Sequence, residues 1–244
     1  MKIIFSPSKE MREKNILKEK QSYSDTPFKE NTFNILEKLK SFSKESIASI
    51  MKIKGTILEK TVKNIENFEN LEGIPSISLY NGVSFKELEI ETYTENDMKY
   101  LNDNLYILSA FYGLSKPFNL LKPYRLDMTM KIFDKSLYDY WKDDVNNYIE
   151  KELGKDILIN LASSEFSKMI DKNRIKNILN IDFKEFKDGK YISISSYSKQ
   201  ARGNFLNILV KNQIKNIDEF KNIKFNNYIF NSELSDGKNF IFSR

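Results

Sequence analysis

The 244-residue chain contains neither cysteine nor histidine. Without thiols there is no disulfide, no thiolate nucleophile, no iron–sulfur cluster and no thiol redox switch. Without imidazole there is no Ser-His-Asp triad, and the His- and Cys-based metal motifs lose their ligands. Chemistry falls to Asp, Glu, Lys, Arg, Tyr, Ser, Asn and the backbone, and a metal would need hard oxygen donors. No metal site and no cofactor are expected. An apolar run of about 18 residues is also missing, so no membrane span is expected. The apolar stretch before Pro7 is too short for a signal-peptide core, which makes a cytoplasmic location the expectation. Walker A, GxGxxG and GxSxG patterns are absent too, which removes the main support for P-loop ATPase, dinucleotide-dehydrogenase and α/β-hydrolase readings.

What is present suits one packed domain: 40% hydrophobic and 13% aromatic residues, with 30% charged. The balance of 39 Lys and Arg against 34 Asp and Glu is only mildly basic, so the distribution of charge decides more than the total. Residues 37–63 hold seven lysines and three glutamates, whereas residues 66–103 hold nine acids and two lysines. The basic stretch reads either as a polyanion-binding surface or as a lysine-rich solvated face.

Pattern along the chain alternates. Lys2–Phe5 reads as a buried strand, and residues 8–30 as polar and irregular. Residues 31–72 read as a helical insertion: one helix from Thr32 to Phe42, a second capped by Ser43, and a third beyond Gly55 reaching Phe68. Ile77–Tyr80 reads as a strand ending in an Asn81-Gly82 turn. Thr94 caps a helix to Asn102, and Leu105–Ser109 is a strand. Ser136 caps an amphipathic helix stopped by Gly154. Asp156–Asn160 is a strand, and Ser163 caps a short helix. Residues 181–186 and 191–197 form a hairpin around Asp188-Gly189. A helix from Lys199 to Asn212 and strands at 224–230 and 240–242 complete the chain. The expected fold is α/β (α+β): a single domain over residues 1–244 with a mixed β-sheet covered by helices.

Four constellations carry possible chemistry. Ser46–Thr61 has the outline of a helix-hairpin-helix, in which a Gly-containing turn offers backbone N–H groups to a nucleic-acid phosphate. Gly55, Lys52, Lys54 and Lys60 would serve it, although Leu58 stands where a second glycine is usual; an ordinary helix–turn–helix packing unit is the alternative. Lys199 and Arg202, read as lying in the first turn of a helix, would oppose its dipole unless an anion sat there, and Gly203 would allow close approach. Arg125 and Asp127 point to one face of an extended segment, as a mutual ion pair or as anion clamp and general base. Glu165 stands in a strand-to-helix turn after Asn160, where α/β sheets place sites, with Lys9 similarly placed after the first strand.

Ser6–Lys9, Leu108–Leu114 with Pro117, Pro123–Met128, Tyr138–Trp141, Ile159–Glu165 and Lys199–Gly203 together resemble, in order and over nearly the whole chain, the YaaA family of bacterial peroxide-stress proteins. Ser8 stands where the family often has Ala, and Gln200 where it often has Lys. The resemblance implies a cytosolic protein that limits peroxide damage by keeping unincorporated iron low. It also implies DNA binding through a basic cleft and a helix-hairpin-helix element. By position the cleft would include Lys9, Tyr112, Lys116, Tyr124, Arg125, Lys199 and Arg202. The expected partner is double-stranded or branched DNA, bound by a monomer. The alternative is an enzyme acting on a nucleic-acid base or nucleotide, with Asp127 and Glu165 as acid and base and Tyr112 stacking a base. It requires these residues to converge in one pocket. Direct iron sequestration is the third reading, but the acids at 87–97 are spaced like a solvated face.

Overall fold

The computed structural model describes residues 1–18 and 21–244; Glu19 and Lys20, within the irregular 8–30 stretch, lie outside the described residues. Strand β1 (Lys2–Phe5) buries Ile3, Ile4 and Phe5 almost completely. Such a continuous apolar run belongs to a strand covered on both faces. Three helices follow, α1 (Lys29–Lys40), α2 (Lys44–Met51) and α3 (Gly55–Glu66), then the short strand β2 (Ile74–Pro75). Helices α4 (Ser76–Leu79), α5 (Val83–Lys86) and α6 (Glu95–Asn104) lead into β3 (Leu105–Ser109), β4 (Gly113–Ser115) and β5 (Leu120–Leu121). Helix α7 (Leu137–Leu153), strand β6 (Leu158–Asn160) and helix α8 (Ser164–Ser167) precede the hairpin of β7 (Ile178–Lys187) and β8 (Lys190–Ile192). Helix α9 (Ser195–Lys211) and strands β9 (Ile229–Phe230) and β10 (Asn239–Ser243) complete the chain.

Among the described residues, eight strands make one mixed sheet in the order β4-β3-β1-β6-β7-β10-β9, with β8 paired to β7. Its centre, β3-β1-β6-β7-β10, is parallel, and the flanking pairings are antiparallel. The chain leaves β1 for β3 on one side, then crosses to β6 and β7 on the other. The carboxyl ends of β1 and β6 therefore border a crevice at a topological switch point.

Helix caps follow the sequence closely. The Ser43 and Ser136 hydroxyls accept from the amides of Ser46 and Asp139, and Thr94 forms a reciprocal capping box with Asp97. In α7 the buried residues Leu137, Trp141, Val145, Ile149 and Leu153 recur every fourth position, the stripe that fastens the helix to the sheet. The indole of Trp141 donates to the Ala110 carbonyl at 2.8 Å. The Asp188-Gly189 turn has φ of 53° and 76°, the left-handed pair that a type I′ hairpin demands.

Four elements differ from expectation. Residues 76–79 form helix α4 instead of a strand: Ser76-Ile77-Ser78-Leu79 alternates as a half-buried strand does, but both serines are buried, Ser76 donating to the Lys116 carbonyl and Ser78 accepting from the Ile16 amide. Asn81-Gly82 leads into α5 and makes no hairpin. The third helix ends at Glu66, with a separate 3₁₀ turn at Phe68–Asn70. The second strand of the late hairpin ends at Ile192, and α9 starts at Ser195, four residues before the expected point. No helix among the described residues is long and apolar enough to cross a membrane.

Gly203 has a packing role. A Cβ there would lie 2.2 Å from the Ser84 carbonyl oxygen and 2.8 Å from the Glu87 Cβ, so only glycine lets α9 pass this close to α5. Substitution Gly203→Ala forces helix against backbone and is expected to lower stability by about 1–3 kcal/mol, read as a reduced urea midpoint with unchanged slope.

Candidate functional site

The crevice between β1 and β6 is closed at its base by two serines, Ser6 directly after β1 and Ser163 three residues after β6. The Ser6 hydroxyl accepts from the Ser163 amide at 2.8 Å, and the two hydroxyls are 3.1 Å apart. Ser163 does head α8 but makes no side-chain cap there, because its hydroxyl is turned to Ser6. Above this pair opens a cavity of about 360 Å³ lined by Lys9, Tyr124, Arg125, Asp127, Glu165, Lys199 and Arg202. Residues from four distant stretches of chain thus meet in one place, as both the binding and the enzymatic readings require.

Within it, Lys9 Nζ lies 2.6 Å from Asp127 Oδ2. The i, i+2 partner Arg125 makes no ion pair with Asp127, so of the two readings of this segment the mutual ion pair is not formed and Asp127 pairs with Lys9 instead. With Lys9 58% exposed, that bridge contributes about 0–1 kcal/mol. The Glu165 carboxylate accepts from the Met128 amide at 3.2 Å, which seats it beside the Asp127 segment. The Tyr124 hydroxyl lies 2.8 Å from the Ser109 hydroxyl and 3.0 Å from that of Tyr80. Burial pushes it up to about 12, so it stays a protonated phenol at neutral pH.

The two arginines are unlike their surroundings. Arg125 and Arg202 each hold a buried Nε with no hydrogen-bond partner. An unpaired buried donor costs about 1–3 kcal/mol. The nearest carboxylate oxygen to Arg202 is that of Asp182, at 3.9 Å, and burial holds the guanidinium below its ordinary pKa despite that charge.

Two further cavities adjoin at Lys9 and Arg125. One, of about 410 Å³, runs between the 10–13 loop and helices α1 and α3 and includes Lys60. The other, of about 550 Å³, is lined by Lys52 and Lys131. Over all three, eight cationic residues face four carboxylates, so the cleft concentrates nearly all of the chain's formal excess of +5. Among the described residues no group of three or more carboxylates is placed to hold a metal ion.

Several expected members lie elsewhere. Tyr112 is 4% exposed, and its hydroxyl exchanges hydrogen bonds with the backbone of Lys122. It packs edge-on behind Tyr124 and has no face to offer a base. Lys116 is turned to Glu152 at 3.4 Å and does not line the cleft. Lys199 and Arg202 lie beyond the first turn of α9, where amides already bond within the helix, so an anion would meet their side chains and not free N–H groups. Gly203 admits α5 and not a ligand. Lys54 and Gly55 stand at the exposed α2–α3 turn, outside the three cavities; Gly55 has φ of +59° with open space around it. Lys60 is paired with Glu13. Residues the sequence pattern did not single out include Ser6, Val83, Phe166 and Lys131. For Ser6 the signal was its position directly after a parallel strand.

Fold and site together define a mixed α/β protein with a cationic cleft at the carboxyl end of its sheet. A family profile described as peroxide stress protein YaaA matches residues 1–234. A UPF0246 protein of Fusobacterium nucleatum is 57% identical, covering 100% of this chain and 99% of its own. UPF0246 proteins of Malacoplasma penetrans and Clostridium botulinum are 37% and 34% identical at the same coverage. The chain belongs to the YaaA (UPF0246) family of peroxide stress proteins.

The Tyr106 hydroxyl donates to Glu152 at 2.8 Å, and this bond, opposed by burial and aided by Lys116, holds the Glu152 carboxyl below the usual carboxylate range. A depressed folded-state pKa stabilises fully above the unfolded value and is lost as pH falls through the folded one. The urea-midpoint gap between wild type and Glu152→Gln is therefore expected to be full at neutral pH and to close as pH drops below the ordinary carboxylate range.

Proposed function

We propose that this is a cytoplasmic DNA-binding protein of the peroxide stress response that holds the backbone of double-stranded or branched DNA along its cleft. The observation that supports it most is the junction at Lys9 and Arg125, from which cavities lined by Lys52, Lys131, Lys199 and Arg202 extend. Cations spaced along a branched groove suit a chain of phosphates better than a single small anion. The α2–α3 turn adds a second contact in this reading. No side chain caps α3, and the positive φ of Gly55 turns the backbone at its start, in the manner of a helix-hairpin-helix. Lys52 and Lys54 flank that turn. In this reading Lys and Arg on the phosphates take places that cations would otherwise hold, and so limit iron-dependent damage at the DNA itself.

A second reading has its own support: Asp127 and Glu165 face the same cavity as Arg125 and Arg202. That is the arrangement of an acid/base pair beside a phosphate clamp, acting on a base or nucleotide. Asp127→Asn separates the two. As a mere cleft charge, its loss strengthens DNA binding; as an acid or base, its loss abolishes turnover.

Fluorescence-anisotropy titrations against duplex and branched DNA over a range of salt test the main reading. Changing Lys199 and Arg202 together to Ala is expected to reduce the slope of log K against log salt by about 0.9 for each phosphate that is no longer neutralised. An unchanged slope and affinity would remove these two side chains from the interface.

A further inference from the structure

We infer that the cavity at the ends of β1 and β6 holds a single nucleotide unit, its phosphate between Arg125 and Arg202 and its base against the opposite apolar wall. The inference deepens the phosphate-binding reading of the cleft and rests on it.

The chain has five arginines. Arg12 donates to the carbonyls of Ser78 and Tyr80, Arg174 to Glu150, and Arg244 to Glu185. Arg125 and Arg202 are the two with a buried, unpartnered Nε, and both line this cavity. A guanidinium fork matches the oxygens of a phosphate in two parallel hydrogen bonds, which a surface lysine cannot reproduce. Two guanidinium groups that each hold an unpartnered Nε inside one cavity, with Arg202 otherwise held by the 3.9 Å contact to Asp182, point to an anion that completes them.

The rest of the lining says what else that ligand carries. Val83, 42% exposed, gives the lining its open apolar surface, with Phe166 and the fully buried Leu161 also at the cavity. An inorganic anion would leave that surface wet, whereas a purine or pyrimidine ring covers it. Asp127 and Glu165 supply acceptors for the N–H and O–H groups of a base or sugar. Their charges also repel further phosphates, so the occupant has one anionic end and one neutral, donor-bearing end. At about 360 Å³ the cavity matches one nucleotide and excludes a duplex. It opens at Lys9 and Arg125 onto the remainder of the groove. The nucleotide is therefore either a free mononucleotide or one turned out of a bound strand.

Two measurements on the intact protein test this. Calorimetric titration with each of the common 5′-mononucleotides is compared with the corresponding nucleosides and with inorganic phosphate. In parallel, duplex DNA carrying one unpaired 2-aminopurine is titrated with protein, and the signal is challenged with mononucleotide. At least one mononucleotide is expected to bind about tenfold or more tightly than its nucleoside or phosphate, and Arg202→Lys or Arg125→Lys to lose that advantage, because lysine cannot make the paired contact. Unchanged thermal unfolding confirms that the variants are folded. A 2-aminopurine change that mononucleotide reverses supports the strand as source, and mononucleotide binding without it supports the free ligand. If DNA binds but no mononucleotide does, and the 2-aminopurine signal ignores mononucleotide, the inference is overturned while the groove reading survives. Mononucleotide binding without DNA binding supports the inference and removes DNA as the groove's ligand. Affinity unaffected in both Lys variants overturns it.

Discussion

The site depends on the parallel pairing of β1 on both its edges. With β3 on one side and β6 on the other, this short apolar strand is paired along both edges, and Ile3, Ile4 and Phe5 are buried. The connections leave β1 and β6 in opposite directions across the sheet, so nothing fills the gap beyond their carboxyl ends. Ser6 and Ser163 tie the two exits together at the bottom of that gap. The lysine and glutamate of the cleft follow from this arrangement, because Lys9 is three residues beyond Ser6 and Glu165 two beyond Ser163.

Helix α9 supplies the other wall, and a steric condition governs its position. Arg202 reaches the cavity only because its neighbour Gly203 lets α9 lie against the Ser84 carbonyl. The hydroxyl of Ser84 in turn donates to the Lys199 carbonyl, fastening α5 to the same helix turn. The motif holding Lys199, Arg202 and Gly203 is thus a packing element and a charge-presenting element at once. Burial on one side of the helix aims the guanidinium toward the other.

Charge in the cleft is arranged by pairing. Carboxylates on its outer parts are matched to lysines, as Glu13 is to Lys60, Glu10 to Lys86 and Asp127 to Lys9. Arg125 and Arg202 each keep a buried Nε without a hydrogen bond inside the protein. Folding has accepted the cost of two unpartnered, buried Nε donors in one cavity, which is the pattern of a preorganised anion site and not of a surface that is merely basic.

The sequence alone determined the local elements whose causes are local. Caps at Ser43, Thr94 and Ser136, the fourfold stripe of α7, the left-handed Asp188-Gly189 turn and the buried runs of β1 and β3 were all legible from residue type and spacing. The family was legible as well, from six short stretches in a fixed order. What tertiary structure decided was which of the singled-out residues share a space. Lys9 and Glu165 come together because the parallel strands β1 and β6 end at one edge, and Arg125, Asp127 and Arg202 reach them from the loop after β5 and from α9, facts that spacing along the chain does not encode. Tyr112 and Lys116 were removed from the cleft for the same reason, since a side chain's neighbours across the fold, Lys122 and Glu152, settled where it pointed. Gly203 changed from a ligand cradle to a helix contact once α5 stood against it. Periodicity also misled at α4, where the serines that alternate with Ile77 and Leu79 are buried and bonded, so the alternation marks no solvent face.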